Sequence, residues 1–275
     1  MVLTQQPVFV LSDRSGLTAE TICHTLLSQF PTVEFSQEAL PFIDSREKLK
    51  QAISTINRAA VDSGKRPLVF TTFAEEDHDG LLATVNAEVF DLFEPFIGRM
   101  ESALKQPASH LAGKSHGIAD LVQYSQRISA VNYALHCDDG LHQRDYRGAT
   151  VILVGVSRSG KTPTSLYLAL HFGFHAANYP LTEEDFDKGT LPEDILQHRN
   201  KVFGLTIDPI RLHQIRTERR PGSQYATLVQ CQQDVRLAHN LFERYRIPYC
   251  DSTTYSVEEL GSTIKHQMGL HSDFY

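Results

Sequence analysis

The amino-acid sequence predicts an α/β protein made of two consecutive domains, each a parallel sheet covered by helices. Three observations carry that prediction. Short β-rich runs alternate with segments of helical period along most of the chain. Near the middle, a glycine-bounded loop joins an apolar run to an amphipathic one, as strand–loop–helix units do. Between the halves lies "KQPASHLAGKSHGIAD", Lys105 to Asp120, rich in Gly, Ser, His and Pro. The expected layout is an N-terminal α/β domain over residues 1–104, a linker over 105–119 and a second α/β domain over 120–275. A chain of 275 residues has enough material for two such domains.

The elements follow in order. "PVFVLSD" (Pro7 to Asp13) is a short apolar run ending in turn residues, hence a strand. In "LTAETICHTLLSQF", Ile22, Leu26, Leu27 and Phe30 recur at helical spacing, and Thr18 is the expected N-cap. A strand at "TVEFSQEALPF", a helix from Arg46 to Ser63 and a strand at "RPLVFTTF" come next, then helical pattern from Gly80 to Leu104. In the second half "YSQRISAVNYALH" is a helix with Ile128, Val131 and Leu135 on one face. "VILVG", "KVFGLTID" and "IPYCDST" are strands; "ATLVQCQQDVRLAHNLFERYR" and "SVEELGSTIKHQMGL" are helices. No internal repeat is evident from the residues.

Composition narrows the function classes. A formal net charge of -7 argues against a nucleic-acid partner held by bulk electrostatics, though not against a local basic pocket. Cys23, Cys137, Cys231 and Cys250 are scattered, with no C-x-x-C pair for zinc or redox chemistry. No apolar run is long enough to cross a membrane, and "VFVL" is too short for a signal peptide. A soluble, cytoplasmic protein is expected, free of membrane, and homo-oligomeric.

The chemistry concentrates at "VILVGVSRSGKTPTSLYLAL", where Gly155, Gly160, Lys161 and Thr162 satisfy G-x-x-x-x-G-K-[ST]. The glycines let the backbone turn so that successive N–H groups, from Gly155 through Val156, Ser157, Arg158 and Ser159 to Gly160, face an anion. The following helix adds its free N–H groups and the positive end of its dipole. Lys161 reaches a terminal phosphate, and the Thr162 hydroxyl suits Mg²⁺. After the loop, Leu166, Ala169, Leu170 and Phe172 mark a helical face closed by Gly173. The second domain is thus expected to be P-loop kinase-like. Asp208, ending "VFGLTID", fits a metal-holding acid as well as it fits a helix N-cap before Pro209.

Two further groups stand out. "HCDDG" sets Asp138 and Asp139 side by side at a helix C-terminus, where negative charge is unfavourable. A carboxylate there can orient an attacking hydroxyl and take its proton; His136 is an alternative acid–base group, and a solvated turn is the bland one. In "DPIRLHQIRTERRPG", Arg216, Arg219 and Arg220 share a helix face at i, i+3 and i+4, a candidate site for a second phosphate or a phosphorylated partner. The turn "SDRSGLTAE" is a weaker anion candidate, lacking both lysine and second glycine.

Together "SDRSGLTAE", "DDG", "GVSRSGKTPTSLYLA", "AANYPL", "FGLTIDPIRLHQIRTERR" and "STTYSVEEL" resemble the bacterial pyruvate dikinase regulatory proteins over nearly the whole chain. The closing "STTYSVEEL" and "MGL" are more similar to the branch acting on phosphoenolpyruvate synthase than to that acting on pyruvate, phosphate dikinase. The resemblance implies a bifunctional enzyme. It would phosphorylate a threonine of the target with ADP, and remove that phosphate with inorganic phosphate, releasing pyrophosphate. It further implies ADP bound by Gly155 to Thr162, with Lys161 central and an aspartate of "DDG" in catalysis. Target recognition would engage the N-terminal domain. Short of the resemblance, an ATP-dependent kinase for a small metabolite and a non-catalytic nucleotide-sensing switch fit the same loop.

Overall fold

In the computed structural model, which describes residues 5–73, 79–110 and 121–272, the chain divides into two units, Met1–Ala119 and Asp120–Tyr275. Residues 111–119 of the expected linker lie outside the described residues.

The first unit runs β1 (Gln6–Leu11), α1 (Leu17–Leu27), β2 (Phe35–Leu40), α2 (Arg46–Ser63), β3 (Leu68–Thr71), α3 (Asp79–Leu82), β4 (Glu88–Asp91) and α4 (Glu94–Leu104). Its four strands are all parallel, in the order β2-β1-β3-β4. Alternate residues of β1 serve opposite faces. Phe9 and Leu11 pack with Leu49, Ile53 and Ile56 of α2, whereas Val8 and Val10 pack with Ala19, Cys23 and Leu27 of α1. Burial on both faces explains why β1 is apolar without alternation.

The second unit runs α5 (Leu121–His136), β5 (Val151–Gly155), α6 (Lys161–Phe172), β6 (Ala176–Pro180), α7 (Glu183–Lys188), α8 (Glu193–Leu196), β7 (Val202–Thr206), α9 (Pro209–Arg219), α10 (Leu228–Tyr245), β8 (Tyr249–Asp251) and α11 (Val257–Gln267). Its sheet is again four-stranded and parallel, ordered β6-β5-β7-β8. Val151, Leu153, Phe203 and Leu205 meet Leu168 and Phe172 of α6 and Leu260 and Ile264 of α11. Ile152, Val154 and Val202 meet Val235, Leu241 and Phe242 of α10 on the other face. No described helix is long and apolar enough to cross a membrane.

Several expectations need correction. The helical pattern from Gly80 to Leu104 is broken by β4, because Val89 reaches the core beside β3 and Phe90 stacks on Phe70 with ring centroids 5.0 Å apart. Asp91 then turns the chain, its Oδ1 accepting from the N–H groups of Phe93 and Glu94. The N-cap of α1 is Gly16, not Thr18, since a left-handed backbone at Gly16 (φ 78°) starts the helix early. Ile22, Leu26 and Phe30 face solvent, because Ala19, Cys23 and Leu27 occupy the face that meets β1. Likewise Ile128 and Leu135 are exposed while Ala130 and Ala134 pack on Ala169, and Leu170 is exposed while Leu168 takes its core place. On α1 and α5 the buried face carries smaller residues, Ala19, Cys23, Ala130 and Ala134, which fit a closer approach. β6 was not expected at all.

The units also share more than the residues suggest. Both use the same strand order, and Arg14-Ser15-Gly16 precedes α1 as Arg158-Ser159-Gly160 precedes α6. Both glycines are left-handed N-caps, with φ 78° and 86°. Leu17 stands where the second unit has Lys161.

Gly155 is held by a close approach. A Cβ there would lie 2.1 Å from the Leu205 carbonyl oxygen of β7 and 2.9 Å from Ser159 Oγ. Gly155→Ala must push β5 from β7, and is expected to cost about 1–3 kcal/mol in urea unfolding. Gly160→Ala meets open space and suffers only its left-handed backbone, so it should cost less, about 1 kcal/mol.

Candidate functional site

The site is built on the turn between β5 and α6. β5 ends at Gly155, the loop crosses from Val156 to Gly160, and α6 begins at Lys161. The loop folds on itself through Ser159 N–H to the Val156 carbonyl, 3.2 Å, with Arg158 and Gly160 both left-handed (φ 77° and 86°). Such an alternation turns backbone N–H groups toward one side, next to the free N–H groups of a helix start. A cavity of about 260 Å³ opens there, lined by Ser157, Arg158, Gly160, Lys161, Thr162, Pro163 and Asp139. Val156 and Ser159 are buried in the loop's wall, and the Ser159 hydroxyl has no hydrogen-bond partner among the described residues.

Lys161 is only 5 % exposed, and its Nζ donates to the Val156 carbonyl at 2.9 Å. Burial pushes its amine down to about 8, opposed by the charges of Asp139 and Asp138. A buried cation beside a ring of inward N–H groups has unmet need for an anion.

Asp138, Asp139 and Gly140 form a short 3₁₀ turn after α5, with Asp139 in a left-handed backbone (φ 50°). The Thr162 hydroxyl donates to Asp138 Oδ1 at 2.9 Å, and the Asn178 amide donates to the same oxygen. Asn178 Oδ1 accepts from the Asp139 N–H at 3.2 Å, and the Asn178 N–H donates to the Cys137 carbonyl at 3.2 Å. Asn178 lies fully buried in β6. One amide therefore ties the acidic turn to the sheet and holds it against the loop. The sequence reading passed over Asn178; its signal was a lone polar residue inside "AANYP".

The structure brings Gly155 through Thr162 together with Asp138 and Asp139, but places two expected residues elsewhere. His136 Nε2 pairs with Asp145 Oδ2 at 2.8 Å and its ring stacks on His142, centroids 3.7 Å apart, outside the cavity lining. Asp208 caps α9, its Oδ1 accepting from the N–H groups of Ile210 (2.9 Å) and Arg211 (3.0 Å), and it does not line the cavity. The acid placed against Thr162 is Asp138. The described residues contain no cluster of three or more His, Cys, Asp or Glu able to hold a metal. Mg²⁺, which keeps several waters and takes phosphate oxygens, needs no such cluster. The Thr162 hydroxyl and Asp138 carboxylate offer it adjoining oxygens.

The basic face also changes. Arg216 is 1 % exposed, because α9 packs on α10 and brings its guanidinium to Asp234, 2.7 Å away. Only Arg219 and Arg220 remain at the surface.

Comparison with known proteins gives a consistent picture. The family model described as kinase/pyrophosphorylase matches residues 8–264. The chain is similar to a protein of Halorhodospira halophila, 50% identical over 264 residues, 96% of each chain. It is 45% identical to one of Alkalilimnicola ehrlichii over the full length of both, and 46% identical to one of Alcanivorax borkumensis over 97% of this chain and 98% of that one. All three are named, provisionally, phosphoenolpyruvate synthase regulatory protein.

The depressed Lys161 pKa has a definite sign. Below about pH 8 the amine is charged in folded and unfolded chains alike, and the fold bears the full cost of burying it. From there up to the ordinary lysine value of 10.5 the unfolded chain binds the extra proton, so stability rises with pH. In urea unfolding, Lys161→Met should lack this rise and should be the more stable protein at neutral pH. An anion in the cradle favours the ammonium, so a diphosphate such as pyrophosphate that binds there at about pH 9 should take up a proton. Calorimetry in buffers of different ionisation enthalpy reads that uptake directly.

Proposed function

We propose, from the premise that this chain belongs to the kinase/pyrophosphorylase family, that it regulates phosphoenolpyruvate synthase by reversible threonine phosphorylation. In one direction ADP is the donor; in the other inorganic phosphate removes the phosphoryl group and pyrophosphate leaves. The name borne by the relatives supports the target, and the resemblance of "GVSRSGKTPTSLYLA" and "FGLTIDP" supports ADP as donor. The observation that carries the reading is the buried Lys161 amine beside a loop whose next residue, Thr162, is bonded to Asp138.

In the kinase direction the diphosphate lies in the cradle, its charge met by Lys161 and backbone N–H groups. The threonine oxygen forms its bond to the outer phosphorus as the bridging P–O bond breaks and AMP departs. Asp139, which lines the cavity, takes the hydroxyl proton, while Asp138 is held by Thr162 and Asn178. In the opposite sense a phosphate oxygen forms the bond to phosphorus, the threonine oxygen leaves, and Asp139 returns its proton. Thr162 and Asp138 would hold Mg²⁺, which would supply charge neutralisation to the phosphates. Each reaction sets two phosphates side by side, the ADP pair that is split in one direction and the pyrophosphate pair that is formed in the other, so one cradle can serve both. We assign target docking to the N-terminal unit.

Purified phosphoenolpyruvate synthase and pyruvate, phosphate dikinase, each incubated with ADP or ATP, test the reading by intact mass and threonine phosphorylation. Labelling of the synthase with ADP is expected. Labelling of the dikinase alone moves the target, consumption of ATP on a small acceptor makes the chain a metabolite kinase, and ADP binding without phosphate transfer makes it a switch. Lys161→Ala should lower both directions by at least about 100-fold. Loss of only one would show that the two reactions use separate sites.

A further inference from the structure

Next to the cradle lies a second cavity of about 220 Å³, lined by Ser157, Arg158, Arg219, Arg220 and Tyr225. Ser157 and Arg158 line both cavities, so the two share one wall. No carboxylate is among the lining residues. None of the three arginines forms an ion pair among the described residues, although the chain as a whole is acidic.

The walls are fixed from behind by Arg216. Its Nη1 donates to Asp234 Oδ2 (2.7 Å) and to the Tyr225 carbonyl (3.1 Å), and its Nη2 faces the Ser157 carbonyl at 3.4 Å. Its guanidinium also lies 3.9 Å from the centroid of the Tyr225 ring. Asp234, held on its other oxygen by Gln230, neutralises this buried charge. The same guanidinium therefore braces the loop side and the Tyr225 side. What remains unneutralised is the set of cavity-facing arginines. Arg220 is carried out of the helical path (φ -141°, ψ 78°) where α9 ends, and Ser223 holds its carbonyl. Guanidinium groups gathered without acids repel unless an anion joins them, and their planar forks match phosphate oxygens.

We propose that this cavity is a second phosphoryl-anion subsite, separate from the nucleotide cradle and bound by Arg158, Arg219 and Arg220 with the Ser157 hydroxyl. It takes the phosphate that the nucleotide does not bring. Its volume suits one phosphate or one phosphorylated side chain and not a polyanion, which the acidic chain would repel. The assignment deepens the phosphotransfer reading and rests on it for the occupant's role, not for the existence of the site. Two sources share this chemistry: free inorganic phosphate and the phosphothreonine side chain.

The test is calorimetric titration of the full chain with inorganic phosphate and, separately, with phospho-L-threonine. Both are run on ADP-saturated wild type and on Lys161→Ala protein without nucleotide. Binding is expected to persist in both settings, and R219Q/R220Q should weaken it at least tenfold in each. Both arginines are exposed and outside the core, so the fold should survive, and an unchanged melting temperature checks it. Tighter binding of phosphate identifies the free anion as occupant; tighter phospho-L-threonine identifies the modified side chain. The inference falls if neither ligand binds in either setting, or if R219Q/R220Q binds as well as its parent. It survives if the site is present but the synthase is never phosphorylated, in which case the functional reading alone fails.

Discussion

The candidate site of the second unit is arranged around a lysine ammonium taken out of water. Lys161 has a single backbone carbonyl as its hydrogen-bond partner among the described residues, and burial alone would push it toward neutrality. A left-handed loop, a helix start and two aspartates surround it. The acids favour its charged form, while the loop and helix add positive potential that a phosphate can satisfy. The positive potential of the loop and helix start converges beside the buried ammonium, where an anion would be favoured. That potential favours an anionic group over a neutral ligand.

Holding an acid near such a loop requires a support that does not move. Asn178 supplies it from β6, the edge strand next to β5, where the parallel register sets Asn178 opposite Leu153 and the residue is fully buried. Its amide satisfies the Asp138 carboxylate and the Asp139 N–H together, so the strained left-handed Asp139 is overdetermined by its surroundings. A second support, the buried Arg216–Asp234 pair, braces the far side of the loop. Removing one member would leave the other charged and buried, the costliest kind of loss at this site.

Much of this was legible in the residues. G-x-x-x-x-G-K-T between an apolar run and a helix specifies its own geometry, because all its parts are within a few residues of one another. The parallel-sheet class followed from strands that are apolar on both faces, Val151 to Val154 above all. Other features resisted reading. Arg216, Arg219 and Arg220 look alike by spacing, yet only the packing of α9 on α10 buries the first and leaves the others at a cavity. Leu168 and Leu170 differ in burial for the same reason: periodicity names several faces, and the neighbour selects one. The common strand order of the two units was invisible because their shared residues amount to a short loop.

By itself the sequence determined the class of fold and the place of the glycine-bounded loop between a strand and a helix. Those depend on local backbone preferences and on spacing along the chain. Only the tertiary structure decided which acid meets Thr162, that Asn178 holds it, that His136 pairs with Asp145, and which arginine is buried and which line a cavity. Each of those contacts brings residues 9 to 40 positions apart within hydrogen-bonding distance. Contacts of that kind are set by the order and register of strands and the packing of helices, which no local pattern encodes.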